Sequence, residues 1–397
     1  MTKISSSISA RVAALFACHF FGFGLFLPFF PLVLEFRGLS AAEIGFILGV
    51  GTIARTAASP ILSNIADRTG QRRLSILIYS LIGAGFISML FLPGGLLLAG
   101  TAIIGYMVVK GPVLPLSDAY ALDVSKNTGA DYARMRLWGS VGFIVANMAG
   151  GALATATSSW LVLALTALSS IVTGAVVMSL PRQHRDQADE SGNETGQVAP
   201  FREIWFWPVL VVLGLFQASH AAFYGFGTIY LQANHVPDFA IGALWAIGVV
   251  AEVALFTVAG KLSLRFDPPT FLIVAGIASV IRWVLFPFAD TLAFLVALQL
   301  LHGLTFGAAH LGAVAILSKV VPSRWAGTGQ GLFMMSIGVQ MSAGLAVSGA
   351  IYETDPHAPF YLMAAVAAVG TVALIVLTPM IRRQIRMRVV QGIESSG

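Results

Sequence analysis

Charge is scarce in this chain. Of 397 residues only 10% are charged, against roughly a quarter in soluble domains, while 57% are apolar and the mean hydropathy is +0.84. Those values exclude a water-soluble fold. Cysteine is almost absent as well: Cys18 stands alone, so no intramolecular disulfide can form, and the thiol reads as packing filler. The sequence holds no G-x-x-x-x-G-K-[S/T] loop, no His-x-x-x-His and no cysteine pair. Their absence argues against ATP drive within the chain and against a membrane enzyme built on a nucleophile or a metal, and no cofactor is called for. Long polar stretches are lacking too. The longest, Pro181 to Glu203, has 23 residues, far short of the soluble domain a sensor or receptor carries.

What the chain has in quantity is apolar sequence in runs of about 20 residues, the length that crosses a roughly 30 Å hydrocarbon layer as a helix. Twelve spans are expected: Ala10 to Phe36, Ala41 to Ala66, Leu74 to Phe91, Leu96 to Leu122, Leu137 to Thr157, Trp160 to Met178, Trp205 to Ala233, Phe239 to Leu264, Pro269 to Phe288, Thr291 to Leu317, Gly327 to Tyr352 and Ala358 to Ile381. In lipid, backbone groups must be bonded internally, which leaves helices or closed barrels. Unbroken apolarity rules out barrel strands, which alternate. The first span is too long for a signal-peptide core and is expected to be retained.

The formal net charge of +5 is explained by orientation. With the N-terminus inside, 19 of the 23 Lys and Arg fall in cytoplasmic segments and only Arg37 in an external loop. The basicity therefore indicates no nucleic-acid partner, and places both termini and the linker in the cytoplasm of a bacterial inner-membrane protein. The linker divides the spans into two six-helix halves, 1–180 and 205–397, with 181–204 between. Ser63 to Gly70 (S-N-I-A-D-R-T-G) and Gly260 to Asp267 (G-K-L-S-L-R-F-D) echo each other, with Arg68 and Arg265 at the same offset. Such duplication is the architecture of alternating-access transporters, whose site lies near the midplane. Breakers recur in spans 1 (Gly22, Gly24, Pro28, Pro31), 4 (Gly111, Pro112, Pro115), 7 (Gly225, Gly227) and 10 (Gly303, Gly307), although Gly and Pro also serve ordinary packing of membrane helices.

Asp67-Arg68-Thr69-Gly70-Gln71-Arg72-Arg73 resembles the G-x-x-x-D-R-x-G-x-R-R loop signature of the major facilitator superfamily, with Ser63 in place of the first glycine. The resemblance implies a twelve-helix all-α membrane fold and a cytoplasmic gate formed by Asp67, Arg68, Gly70, Arg72 and Arg73. Leu114 to Ala119, Arg134 to Phe143, Gly242 to Glu252 and Leu300 to Gly307 are similar to the phenylpropionate permease group, related to the lactose permease-like symporters. The helix 5 Gly-Pro signature of antiporters is missing, since Gly142 to Gly151 has no proline. That disfavours drug efflux.

A centrally placed charge costs roughly 2.5 to 3.5 kcal/mol, so ionisable residues deep in a span are functional candidates. They are Arg55, Lys110 and Asp118, with His19 nearer one end, in the N-terminal half, and His220, Glu252, Arg282, His302 and His310 in the C-terminal half. Glu252, Arg282 and His302 or His310, on helices 8, 9 and 10, resemble the proton-coupling residues of the lactose permease-like symporters, and Asp118 is the next carboxylate. A static Glu252–Arg282 pair is the structural alternative. Gln299, His302 and His310 fall within about 60° of one face at 100° per residue, and Gln217, His220 and Tyr224 form a similar stripe, as cavity-lining groups would. Arg55, Lys110 and Arg282 are the cations able to hold a substrate carboxylate. Lys110 and Asp118 lie ~12 Å apart along one helix, too far to pair along it.

Together these readings predict a proton-coupled symporter importing a small organic substrate, most simply an aromatic carboxylate such as 3-phenylpropionate. Arg55, Lys110, His220, Tyr224, Gln299 and His310 are the expected substrate contacts. Partners are the substrate, protons and the lipid bilayer, and the expected state is a monomer. A nucleoside or sugar proton symporter is the nearest alternative, but the spans carry few amides and three buried cations to two clear acids.

Overall fold

The computed structural model describes residues 3–155, 157–182, 200–263 and 267–394. Most of the expected linker, and Arg265, lie outside the described residues. Twelve helical spans are present among those described. They are α1 (Lys3–Phe36), α2 (Ala41–Thr69), α3 (Arg72–Ser88), α4 in two pieces (Leu96–Lys110 and Val113–Thr128), α5 (Tyr132–Leu153) and α6 (Ser159–Ser179). There follow α7 in two pieces (Phe206–Ala218 and Ala221–Ala233), α8 (Asp238–Ser263), α9 (Pro268–Leu285), α10 (Leu292–Leu300, a π-helical segment Gly303–Ala308, then Ala309–Val320), α11 (Ala326–Tyr352) and α12 (Ala358–Glu394). Eleven are long and apolar enough to cross a membrane. The twelfth, α5, is helical throughout, but Arg136, Asn147 and four glycines, Gly139, Gly142, Gly150 and Gly151, lower its mean hydropathy.

Local chemistry sets the ends. Ser40 caps α2 reciprocally with Glu43, each side chain bonded to the other's backbone N–H at 3.2 and 2.9 Å. Gly70 ends it at φ 66°, the left-handed conformation glycine adopts without strain. α12 runs past its expected end at Ile381 to Glu394, because no glycine or proline falls between Pro379 and Gly392 and the Arg-rich continuation favours helix even though it is no longer apolar. Many large apolar side chains face outward, Leu97 at 87% and Val376 at 71% exposed among them. In water such a surface would aggregate, whereas in a bilayer it is the side that meets lipid.

Packing groups the chain into two compact units. Unit 1 comprises Met1–Ala188 with Phe223–Ala246 and Leu345–Pro356, and unit 2 comprises Asp189–Ala222, Ile247–Gly344 and His357–Gly397. The units thus cut across the sequence halves: the α7–α8 turn and the end of α11 group with α1 to α6. In unit 1, α1 packs along α5 and α6, and α3 along α6. In unit 2, α7 and α9 pack along α12, repeating the α1–α6 and α3–α6 pairings as a duplicated fold requires.

Within unit 1 two crossings bring backbone against backbone. A Cβ built on Gly45 of α2 would lie 2.6 Å from the Leu345 carbonyl oxygen and 2.9 Å from Gly349 Cα of α11. One on Gly151 of α5 would lie 2.7 Å from the Asp238 carbonyl oxygen and 2.8 Å from Gly242 Cα of α8. Only glycine permits these approaches. Beside them Glu353 accepts from the Ala42 N–H at 3.2 Å, and Gln232 donates to Asp238 at 2.9 Å.

Candidate functional site

In unit 2, α7, α8, α9 and α10 bring their polar residues together. Arg282, fully buried on α9, donates through Nη2 to Gln299 Oε1 at 2.6 Å and through Nη1 to Thr305 Oγ1 at 3.0 Å and His302 Nδ1 at 3.1 Å. The far nitrogen of His302, Nε2, stands 4.0 Å from Glu252 Oε2 of α8. His220 bonds Thr305 Oγ1 through Nε2 at 3.1 Å and the Gln217 carbonyl through Nδ1 at 3.2 Å.

Donor chemistry assigns the protons in this cluster. A guanidinium only donates, so His302 Nδ1 accepts and the neutral ring carries its hydrogen on Nε2, facing Glu252. The Gln217 carbonyl only accepts, so His220 carries its hydrogen on Nδ1, and its Nε2 accepts from Thr305, whose oxygen in turn accepts from Arg282. The imidazole of His302 therefore lies between the guanidinium, which it bonds, and the carboxylate, which faces its Nε2–H at 4.0 Å. Thr305 and Gln217 complete the chain of bonds. Sequence reading passed over Thr305, because a hydroxyl inside a membrane helix ordinarily bonds its own backbone and gives no signal of a tertiary role.

Two helix irregularities revise the expected stripes. α7 is interrupted at Ser219 and His220, not at Gly225 or Gly227, so the 100° rule does not carry from His220 to Tyr224. Tyr224 falls in unit 1, where its ring stacks on Trp245 with centroids 6.0 Å apart. In α10 the π segment turns less per residue than an α-helix and shifts the phase beyond it. Gln299 and His302 meet Arg282, while His310, on the far side of the segment, forms no hydrogen bond or ion pair among the described residues. α4 breaks at Gly111 and Pro112 as expected, whereas α1 continues through Pro28 and Pro31.

Unit 1 holds a second set. Lys110, 9% exposed, ends the first piece of α4, its methylenes lying against the site of Gly83. Arg55 of α2 passes beside Gly111, one residue on. Neither cation forms a hydrogen bond or ion pair among the described residues. Asp118, in the second piece of α4 beyond the break, is engaged elsewhere: Tyr132 donates to it at 2.9 Å and Arg136 stands at 3.9 Å. Buried His19 has an Nδ1 without a hydrogen-bond partner among the described residues, and the charges that act on it, Lys110 and Arg136, are both positive. Asn147 is likewise buried with both amide atoms unpartnered among the described residues.

The loop between α2 and α3 closes one end of unit 1. Arg72 donates to Asp67 at 2.6 Å and to Asp123 of α4 at 2.7 Å, joining three helix ends. Arg73 donates to the Met178 carbonyl at 2.5 Å at the end of α6, and Arg68 is exposed. Gly70 turns the chain so that Arg72 faces back to Asp67.

Helices that expose apolar surface outward and hold charged clusters within are the build of a polytopic membrane transporter. The profile of the MFS_1-like family matches residues 11–363, and the chain belongs to that family. Across 356 residues it is 30% identical to the probable 3-phenylpropionic acid transporter of Escherichia coli K12, covering 88% of this chain and 92% of that one. It is 25% identical to the maltose permease of Geobacillus stearothermophilus over 367 residues, 90% and 91% of the two chains. Among solved structures, the nucleoside transporter NupG superposes with a TM-score of 0.80 at 19% identity, covering 94% of this chain and 99% of that one. That likeness bears on the fold alone.

Proposed function

We propose that the chain imports a small aromatic carboxylate, 3-phenylpropionate or a close analogue, together with a proton. The observation that carries the substrate class is Lys110: a buried cation that no acid neutralises among the described residues, with Arg55 lying against the next residue of the chain, Gly111. A buried unpaired charge is expensive, and a substrate carboxylate would relieve it. Gln299, His220, His310 and Tyr224 remain proposed contacts, and His19, with its unpartnered nitrogen, joins them. Coupling is assigned to Glu252, His302 and Arg282, with Asp118 in reserve. Protonating Glu252 removes the charge that faces the His302 Nε2–H and frees the ring to move relative to Arg282. The charge asymmetry of the loops supports cytoplasmic termini in an inner membrane. Unpartnered Asn147 favours the second reading, a neutral, hydrogen-bonding substrate such as a nucleoside or sugar.

Binding to the purified protein distinguishes the two readings. The acid should bind about tenfold or more tightly than its neutral amide, the range of a charge-assisted hydrogen bond, and Lys110→Gln should erase that preference. Equal affinity for acid and amide in the wild type, or tighter binding of a nucleoside, would refute the carboxylate reading.

The Asp67–Arg72–Asp123 junction is assigned to gating. Asp67→Asn, which loses the ion pair and keeps the shape, should slow exchange across the membrane roughly two- to fivefold, the effect of a partly exposed pair. Substrate affinity should hold. A large loss of binding in a well-folded variant would place Asp67 in the substrate site instead.

A further inference from the structure

Unit 2 has a second cationic site, unconnected with the buried cluster, where α9 begins and α10 and α12 leave the apolar layer. A cavity of about 230 Å³ opens there between Asp267, Pro268, Lys319, Arg382, Ile385 and Arg386. Asp267 is committed to Arg382, at 2.8 and 2.9 Å to its two donor nitrogens. It also accepts from Thr270. Burial alone would raise the Asp267 carboxyl, but these hydrogen bonds and the Arg382 charge outweigh it and hold the group below the usual carboxylate range. The pair is therefore internally neutral. Lys319 and Arg386 line the same cavity and form no ion pair among the described residues, so among those residues the site carries two uncompensated positive charges.

Its surroundings indicate the ligand. Along the same two helices, toward the apolar layer, α9 exposes Val274, Ile277 and Ile281, and α12 exposes Val372, Ile375 and Val376. These two helices pack on each other, and their exposed apolar residues suit acyl chains, as the cations at their polar ends suit a phosphate. Arg382, Arg383, Arg386 and Arg388 all fall within seven residues after the apolar part of α12, the composition of a segment that attracts anionic headgroups. We infer that this cavity binds the phosphate-bearing headgroup of an acidic phospholipid, with Lys319 and Arg386 as its ligands.

Native mass spectrometry of the full-length chain, released from detergent after titration with phosphatidylglycerol or with phosphatidylcholine of the same acyl chains, tests the assignment. One phosphatidylglycerol should be retained in preference to phosphatidylcholine. Lys319→Gln with Arg386→Gln should weaken retention about thirty-fold, two basic contacts' worth. Arg383→Gln, on the same helix but outside the cavity lining, should retain the lipid as the wild type does. Millimolar inorganic phosphate should not displace it. Equal retention of the two lipids by the wild type overturns the inference without any variant. Undiminished retention in the double variant overturns it as well, and displacement by inorganic phosphate would assign the site to the free anion.

Discussion

Glu252→Gln should abolish uphill accumulation of substrate under a pH gradient while leaving binding and counterflow exchange close to wild type. Glutamine reproduces the shape and neutrality of the protonated acid and cannot release a proton. With its carboxylate 4.0 Å from His302 Nε2, Glu252 is the acid in contact with the ring that bonds Arg282. The protonated-like carrier can cross with substrate in either direction, which sustains exchange, but cannot return empty after giving up its proton. A purely structural role predicts a different outcome. Removing one member of a buried charged assembly costs about 3 to 5 kcal/mol, and would appear as lost folded yield together with lost binding. Wild-type accumulation by Glu252→Gln would remove Glu252 from the coupling mechanism and leave Asp118 to be tested.

The second large effect is expected at the α2–α11 crossing. Gly45→Val should suppress net transport and exchange alike, by roughly 5- to 150-fold, while the protein still folds and binds substrate. Valine's Cβ would meet the Leu345 carbonyl at 2.6 Å, and a backbone atom cannot yield as a flexible side chain can. Forcing such a contact apart costs about 1 to 3 kcal/mol, enough to shift a two-state equilibrium by that factor. If this approach opens and closes once per transport cycle, a variant that cannot close it stalls. Unimpaired exchange in Gly45→Val would show that the contact persists through the cycle.

The twelve spans could be read from apolarity because lipid imposes both the length and the backbone bonding of each helix. Even the weakest, α5, was marked by the long apolar stretch after Arg136. The gating loop was equally legible, since Gly70 supplies a left-handed turn that few other residues accept. Its partner Asp123 was not: 51 residues separate it from Arg72, and no local pattern reports which acid a base will reach. Helix irregularity was the main obstacle to the cavity stripes. Gly225 and Gly227 drew attention in α7, yet the chain departs from helix at Ser219 and His220, and Pro28 and Pro31 leave α1 continuous. In membrane helices neighbouring side chains can satisfy backbone groups freed by proline, so breaker residues mark where a kink is tolerated, not where one occurs. Glu252, Arg282 and His302 were identifiable individually because a charge in lipid needs a reason. Thr305, which joins Arg282 to His220, lacked any such signature.

Proton-driven uptake of an aromatic carboxylate is tested most directly by accumulation of radiolabelled 3-phenylpropionate in proteoliposomes containing the purified chain, with an acid exterior. Concentrative uptake should rise with the imposed gradient, collapse on adding a protonophore, and compete with other phenyl-substituted acids but not with uridine or maltose. Uptake that merely equilibrates, ignores the gradient, or is inhibited by uridine or maltose in place of the acids would contradict it.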